Sequence, residues 1–173
     1  VPIWSASQSA DRVLRDGEVL QLGNQEWTVI HTPGHHPDHL CLISNSGLVA
    51  GDMVAGIGTI LIPPGEGDMM TYISQLERLL DLDPHLIFPS HGPVIPLPSR
   101  TLEHYIRHRS IRHDRVLAAV DDGNSKLEEI AKIAYEDTPD AHPGLAVDQT
   151  LSHLISHEKD GNVKRVDDGW VRA

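Results

Sequence analysis

Three segments of this chain concentrate side chains able to hold a metal ion. They are Thr32-Pro33-Gly34-His35-His36-Pro37-Asp38-His39, then Gly51-Asp52, then Ser90-His91-Gly92-Pro93. A hydrolytic zinc site needs neutral imidazoles and carboxylates from separate segments, with one position open for a water whose pKa the metal lowers to about 7. Each segment follows a short apolar run, and the ends of sheet strands are where sites in α/β proteins form. Thr32-Pro33-Gly34 closes its strand with a turn that glycine permits, which leaves His35, His36 and His39 on the loop. A histidine met singly is more often a satisfied or solvent-facing residue; the case for ligation rests on three segments acting together.

Other polar groups compete for attention. His104 with His108, and His153 with His157, sit one helical turn apart, so each pair shares a helix face. Neither has the adjoining Glu of a His-Glu-x-x-His zinc site, and both read as exposed polar faces. Arg100, Arg107, Arg109, Arg112 and Arg115 make up five of the fourteen Lys and Arg residues. Two readings stand for them: contacts to nucleic-acid phosphates, or ion pairs with Glu103 and Asp114 plus stems buried at a domain junction. Cys41, in an apolar run, reads as a small buried hydrophobe rather than a reactive thiol. Gly56-Ile57-Gly58 precedes no helix start and is weak evidence for a phosphate cradle.

The elements that must position these groups follow from turn signals and periodicity. Strands are expected over 18–22 and 27–31 around Gly23-Asn24, and over 39–44 and 48–51 around Asn45-Ser46-Gly47. Residues 55–68, rich in Gly and Pro, read as a long functional loop. Asp68 then caps a helix to residue 80, Asp83-Pro84 stops it, and 86–88 form a buried strand. A long helix over 99–120 ends in the run 121–125. Two amphipathic helices follow, about residues 127–134 and 145–158, then short strands over 162–166 and 170–172. That order is the outline of a winged helix. Its second helix shows Asp148, Gln149, Ser152, His153 and Glu158 instead of a basic recognition face, so a cap over the loops fits better than duplex binding, with Trp170 anchoring the wing against the core.

Composition sets outer limits. Aromatic residues are only 4%, so the core must rest on Leu, Ile, Val and Ala, which suits layered α/β packing. A formal charge of −11 argues against general binding to a phosphate backbone. One cysteine excludes an internal disulfide. No apolar run approaches membrane-spanning length, and a cytoplasmic location with no membrane partner is expected.

Taken in order, the TPGHxxxH, GD and GHGP-like motifs resemble those of the metallo-β-lactamase superfamily. Farther on, Ile106-Arg107-His108-Arg109, Ile111-Arg112 and Ala134-Tyr135-Glu136-Asp137-Thr138-Pro139 are similar to the β-lactamase-like endoribonuclease subfamily. The resemblance implies an α/β fold: the C-terminal half of an αββα sandwich over 1–98, a linker helix over 99–122 and a winged-helix cap over 123–173. It implies two zinc ions, with His39 on the first, Asp52 bridging both as the catalytic carboxylate, and His91 on the second. His35 would bond loop backbone and not touch metal, and His36 would be a loop residue. The family's His-x-His-x-Asp-His motif does not occur in these residues and is expected upstream. With His39 alone on one metal and Asp52 and His91 on the other, the site falls short of the three protein ligands normal for catalytic zinc.

The expected function is therefore part of a zinc-dependent hydrolase using metal-bound hydroxide on single-stranded RNA or on a small-molecule ester or thioester. The missing half would come from the amino-terminal segment or a partner chain, and an exposed strand edge and apolar face would promote homo-oligomers. The alternative is a non-catalytic binding or assembly module, built from the winged helix and the Arg-rich helix around a degenerate metal site.

Overall fold

The computed structural model describes residues 2–121, 123 and 125–173. The central sheet has the order β3 (Val19–Leu22), β4 (Gln25–His31), β5 (Leu40–Ser44), β6 (Gly47–Gly51), β7 (Ile87–Pro89). Neighbours are antiparallel except β6 and β7, which run parallel. A parallel pair needs a crossover connection, supplied here by the loop 55–68 and α1 (Met69–Asp81). The pair β1 (Trp4–Ser5) and β2 (Arg12–Val13), which precedes the sheet, was not anticipated.

Register separates the two faces. Thr28, Ile43, Leu48 and Ile87 pair in one row, Val29, Leu42, Val49 and Phe88 in the next. The first row, with Ile30, Cys41 and Ala50, faces the main core, where Tyr72, Ile73, Leu76 and Leu79 of α1 pack. Asp68 caps α1 as expected, its carboxylate accepting the Thr71 N–H at 2.9 Å. The second row is covered only at one end, by Leu14 and Leu20, and Val49 remains 39% exposed. Arg78 of α1 joins the layers by donating to His31 O at 3.1 Å and gripping the Asp16 carboxylate with two 2.9 Å bonds.

α2 (Pro98–Asp121) leads to α3 (Leu127–Ala134), α4 (Pro143–Lys159) and the hairpin β8 (Val163–Val166) with β9 (Gly169–Arg172). The expected break over 121–125 lies partly outside the described residues. A second apolar cluster joins Val116, Ala119, Val120, Ile130, Leu154 and Trp170. Trp170 thus anchors the hairpin to α2, α3 and α4, and not to the sheet core as expected, because its N–H is drawn to Ser125 O at 2.8 Å beside that cluster. No helix among the described residues is long and apolar enough to cross a membrane.

The expectation of two exposed histidine faces fails for His153 and His157, which are 0% and 2% exposed. They meet His113 of α2: the His113 and His153 Nδ1 atoms lie 3.1 Å apart, and His113 stacks on His157 at 3.6 Å. A third histidine from another helix completes a buried seam that spacing along one helix does not reveal.

Candidate metal centre

Thr32 follows β4 and is fully buried, and its N–H donates to His39 O at 2.9 Å, closing the loop 32–39. Gly34 has φ +134°, and a Cβ there would stand 2.4 Å from Tyr72 Cα, so α1 can pack this close only against glycine. The loop then presents two histidines whose ring nitrogens are used differently.

His35 Nδ1 lies 2.7 Å from Leu61 O. A carbonyl only accepts, so Nδ1 carries a proton, and in the singly protonated ring Nε2 keeps its lone pair. That nitrogen lies 3.6 Å from Asp52 Oδ2. Metal-binding histidines are held in this manner, with the second ring nitrogen donating to backbone or carboxylate. His39 has no such lone pair to offer. Its Nε2 accepts the Asp52 N–H at 3.0 Å, and its Nδ1 lies 2.7 Å from Thr32 Oγ1. Burial above all, and then the neighbouring His35, push the His39 pKa down to about 4, so the ring is neutral and serves as an acceptor.

Asp52 follows β6 through Gly51, and His91 follows β7, as expected from their strand ends. His91 Nε2 comes within 3.2 Å of Asp52 Oδ1. This approach does not have hydrogen-bond alignment: Asp52 Oδ1 is buried and without a bonded partner. Its lone pairs are therefore uncommitted, and the carboxylate lies between two imidazole nitrogens, His91 Nε2 near Oδ1 and His35 Nε2 near Oδ2. The donor chemistry, two imidazoles and a carboxylate, suits zinc and also iron or manganese. As the side chains stand, no group of three or more among the described residues is arranged to hold an ion; the contacts formed are the two pairs that share Asp52.

Of the residues singled out from the sequence, the structure thus brings Asp52 and His91 together and adds His35. His39, expected on the first zinc, has both ring nitrogens in hydrogen bonds here, Nε2 accepting the Asp52 N–H and Nδ1 beside Thr32 Oγ1. His35 does bond loop backbone as expected, but through Nδ1 alone. His36 is an exposed loop residue whose Nδ1 accepts the Asp38 N–H at 3.1 Å.

The loop 55–68 forms a wall tied at several points. Gly56 N–H donates to His91 O at 2.8 Å, and Ala55 N–H to Tyr105 Oη at 3.0 Å. From α4, Gln149 exchanges bonds with Ile62 N and O at 3.2 and 2.9 Å, Ser152 donates to Ile62 O at 2.7 Å, and Lys159 meets Asp68 at 2.5 Å. Sequence reasoning missed these anchors, although Gln149 and Ser152 lie on one helix face and polar residues there need partners once buried. Arg109 and Arg112 are 1% and 2% exposed, which favours the junction reading of the arginine cluster. Cys41 is fully buried, its pKa raised to about 12 by desolvation, as expected of an inert thiol.

Comparison with known proteins gives the family and the fold. The sequence model of the Metallo-beta-lactamase superfamily matches residues 5–91. The Beta-lactamase-like protein 2 homolog of Drosophila melanogaster is 37% identical over 152 residues, covering 82% of this chain and 51% of its own. An atrochrysone carboxyl ACP thioesterase of Paecilomyces divaricatus is 26% identical over 145 residues, 83% of this chain and 45% of that protein. The fold is shared with a beta-lactamase domain protein from Burkholderia ambifaria, at a TM-score of 0.78 and 24% identity over 94% of this chain and 52% of that one. The chain spans about half the length of the curated relatives it matches.

Proposed function

The chain belongs to the metallo-beta-lactamase superfamily, and from that membership and the geometry of its strand-end loops we propose that it forms part of a zinc-dependent hydrolase acting on a thioester or related ester. The observation that carries this reading is the Asp52 carboxylate, set between His35 Nε2 and His91 Nε2 with a buried oxygen that no hydrogen bond uses. Asp52, His35 and His91 would hold the metal, which when bound supplies the Lewis acidity that makes water a nucleophile near neutral pH. Leu61 O sets the His35 tautomer, and His39 fixes the backbone that carries Asp52. The loop 55–68, braced by α2 and α4, forms the wall against which a substrate would lie.

Three ligands serve one catalytic metal or part of a pair, so we propose that the remaining ligands of a two-zinc site come from a further segment of the protein or from a second chain. A thioester is favoured over RNA on two grounds. One relative is named as a thioesterase, and burial removes Arg109 and Arg112 from any phosphate-binding face on α2 in a chain of net charge −11.

The test is zinc stoichiometry and thioester hydrolysis by the full-length protein and by its Asp52→Asn and His35→Ala variants. Each variant is expected to lose about two orders of magnitude in zinc affinity or rate, at least the loss seen when groups supporting a metal ligand are removed. Full zinc content and hydrolysis in Asp52→Asn would overturn the role given to Asp52, and no zinc binding or hydrolysis by the unaltered full-length protein would leave the non-catalytic assembly module in its place.

A further inference from the structure

Beside the loop 55–68, α2, α4 and the segment between α3 and α4 enclose a cavity of about 360 Å³. That volume falls in the range of about 300–1,000 Å³ usual for small-molecule sites. His104 and His108 stack on its wall, with ring centroids 6.2 Å apart and planes 17° from parallel. Tyr135, Leu145 and Ala146 give it apolar surface. None of its described lining residues is acidic, although the whole chain has 25 Asp and Glu.

Two buried guanidinium groups belong to this lining, and their charges are matched unequally. Arg112 pairs with Asp137 at 2.8 Å and lies 3.9 Å over the Tyr135 ring. Arg109 donates to neutral acceptors: Gln149 Oε1 at 2.8 Å, Thr59 Oγ1 at 3.1 Å, and Ile60 O. Among the described residues no carboxylate pairs with it. The Nε of each arginine is buried and unpartnered. A guanidinium keeps its proton at any accessible pH, and a buried charge without a counter-charge is unfavourable. The described residues offer Arg109 no anion, and one from outside would complete the site.

We propose that this cavity is a second binding site, for a carboxylate with an aromatic or other apolar body. The carboxylate meets Arg109, and the body lies against the His104 and His108 stack and Tyr135. The inference does not rest on the hydrolase reading, since no lining residue is among those around Asp52. The two sites meet at the loop, which presents Thr59 to the cavity, whose Gly56 is held by His91, and which the cavity residues Tyr105 and Gln149 brace.

The experiment is calorimetric titration of the chain with 2-naphthoate and with its neutral twin 2-naphthamide, in chelator, at about pH 8, where unperturbed histidines are neutral. Naphthoate is expected to bind at one equivalent, and the amide at least about tenfold more weakly for want of the charge-assisted contact. Arg109→Met should erase that preference. Ala141→Trp, which fills the cavity and leaves both arginines in place, should abolish binding of either compound. Equal affinity for acid and amide, no binding of naphthoate, binding that requires zinc, or binding that persists in Ala141→Trp would each overturn the proposal.

Discussion

Gly51 holds φ at +53°, and a Cβ placed on it would stand 2.5 Å from His39 Nε2. Both facts bear on Asp52, whose N–H donates to that nitrogen. Gly51→Ala should therefore cost about 1–3 kcal/mol in urea unfolding through backbone strain, and weaken zinc binding because the bond that aims Asp52 must break. His39→Gln, which keeps a polar acceptor, should cost less zinc affinity than His35→Ala; the reverse order in a chelator competition would assign the ligand role to His39. The sequence identifies the segment that holds both histidines but not which nitrogen is free. That depends on Leu61 O, which comes from the distant loop, and on the Asp52 peptide. That Asp52 and His91 emerge at neighbouring strand ends was legible because Asp52 directly follows β6 and His91 follows β7 after Ser90.

At the scale of elements, the seam between α2 and α4 depends on neutral histidines. Burial holds the His113 pKa down to about 4 and that of His153 well below the usual range, with His157 also lowered. A base whose folded pKa lies below its unfolded value of about 6.5 binds protons more readily when unfolded. Its contribution is complete above about pH 6.5 and is lost as pH falls toward 4. The unfolding free energy from urea titrations should drop steeply over that window, by about 1.4 kcal/mol per pH unit for each histidine taking up a proton, and His153→Leu should flatten the slope. Gln149→Ala should cost about 1–3 kcal/mol, since it strands Ile62 N–H and an Arg109 nitrogen. The larger elements were legible from turn signals, capping Asp68 and apolar periodicity. The β1 and β2 pair, two residues each, is too short to show a period. The histidine seam was hidden because burial of a polar helix face depends on which helix lies opposite.

At the scale of the whole molecule, one face of the sheet sits on α1 and the other is only partly covered. Leu42, Val49 and Phe88 share a row across it, and Val49 is 39% exposed. An open apolar row of this kind promotes association, so the chain's mean mass in light scattering should rise with concentration, and Val49→Lys should suppress the rise without shifting the unfolding midpoint by more than about 0.5 kcal/mol. The bracing of the loop 55–68 by Tyr105, Gln149, Ser152 and Lys159 has another consequence. The wall beside Asp52 is only as durable as the helices that hold it, although the proposed metal ligands themselves sit at the ends of sheet strands. Thermal inactivation should accordingly follow the melting of the carboxy-terminal helices, with the sheet still folded when the wall is lost.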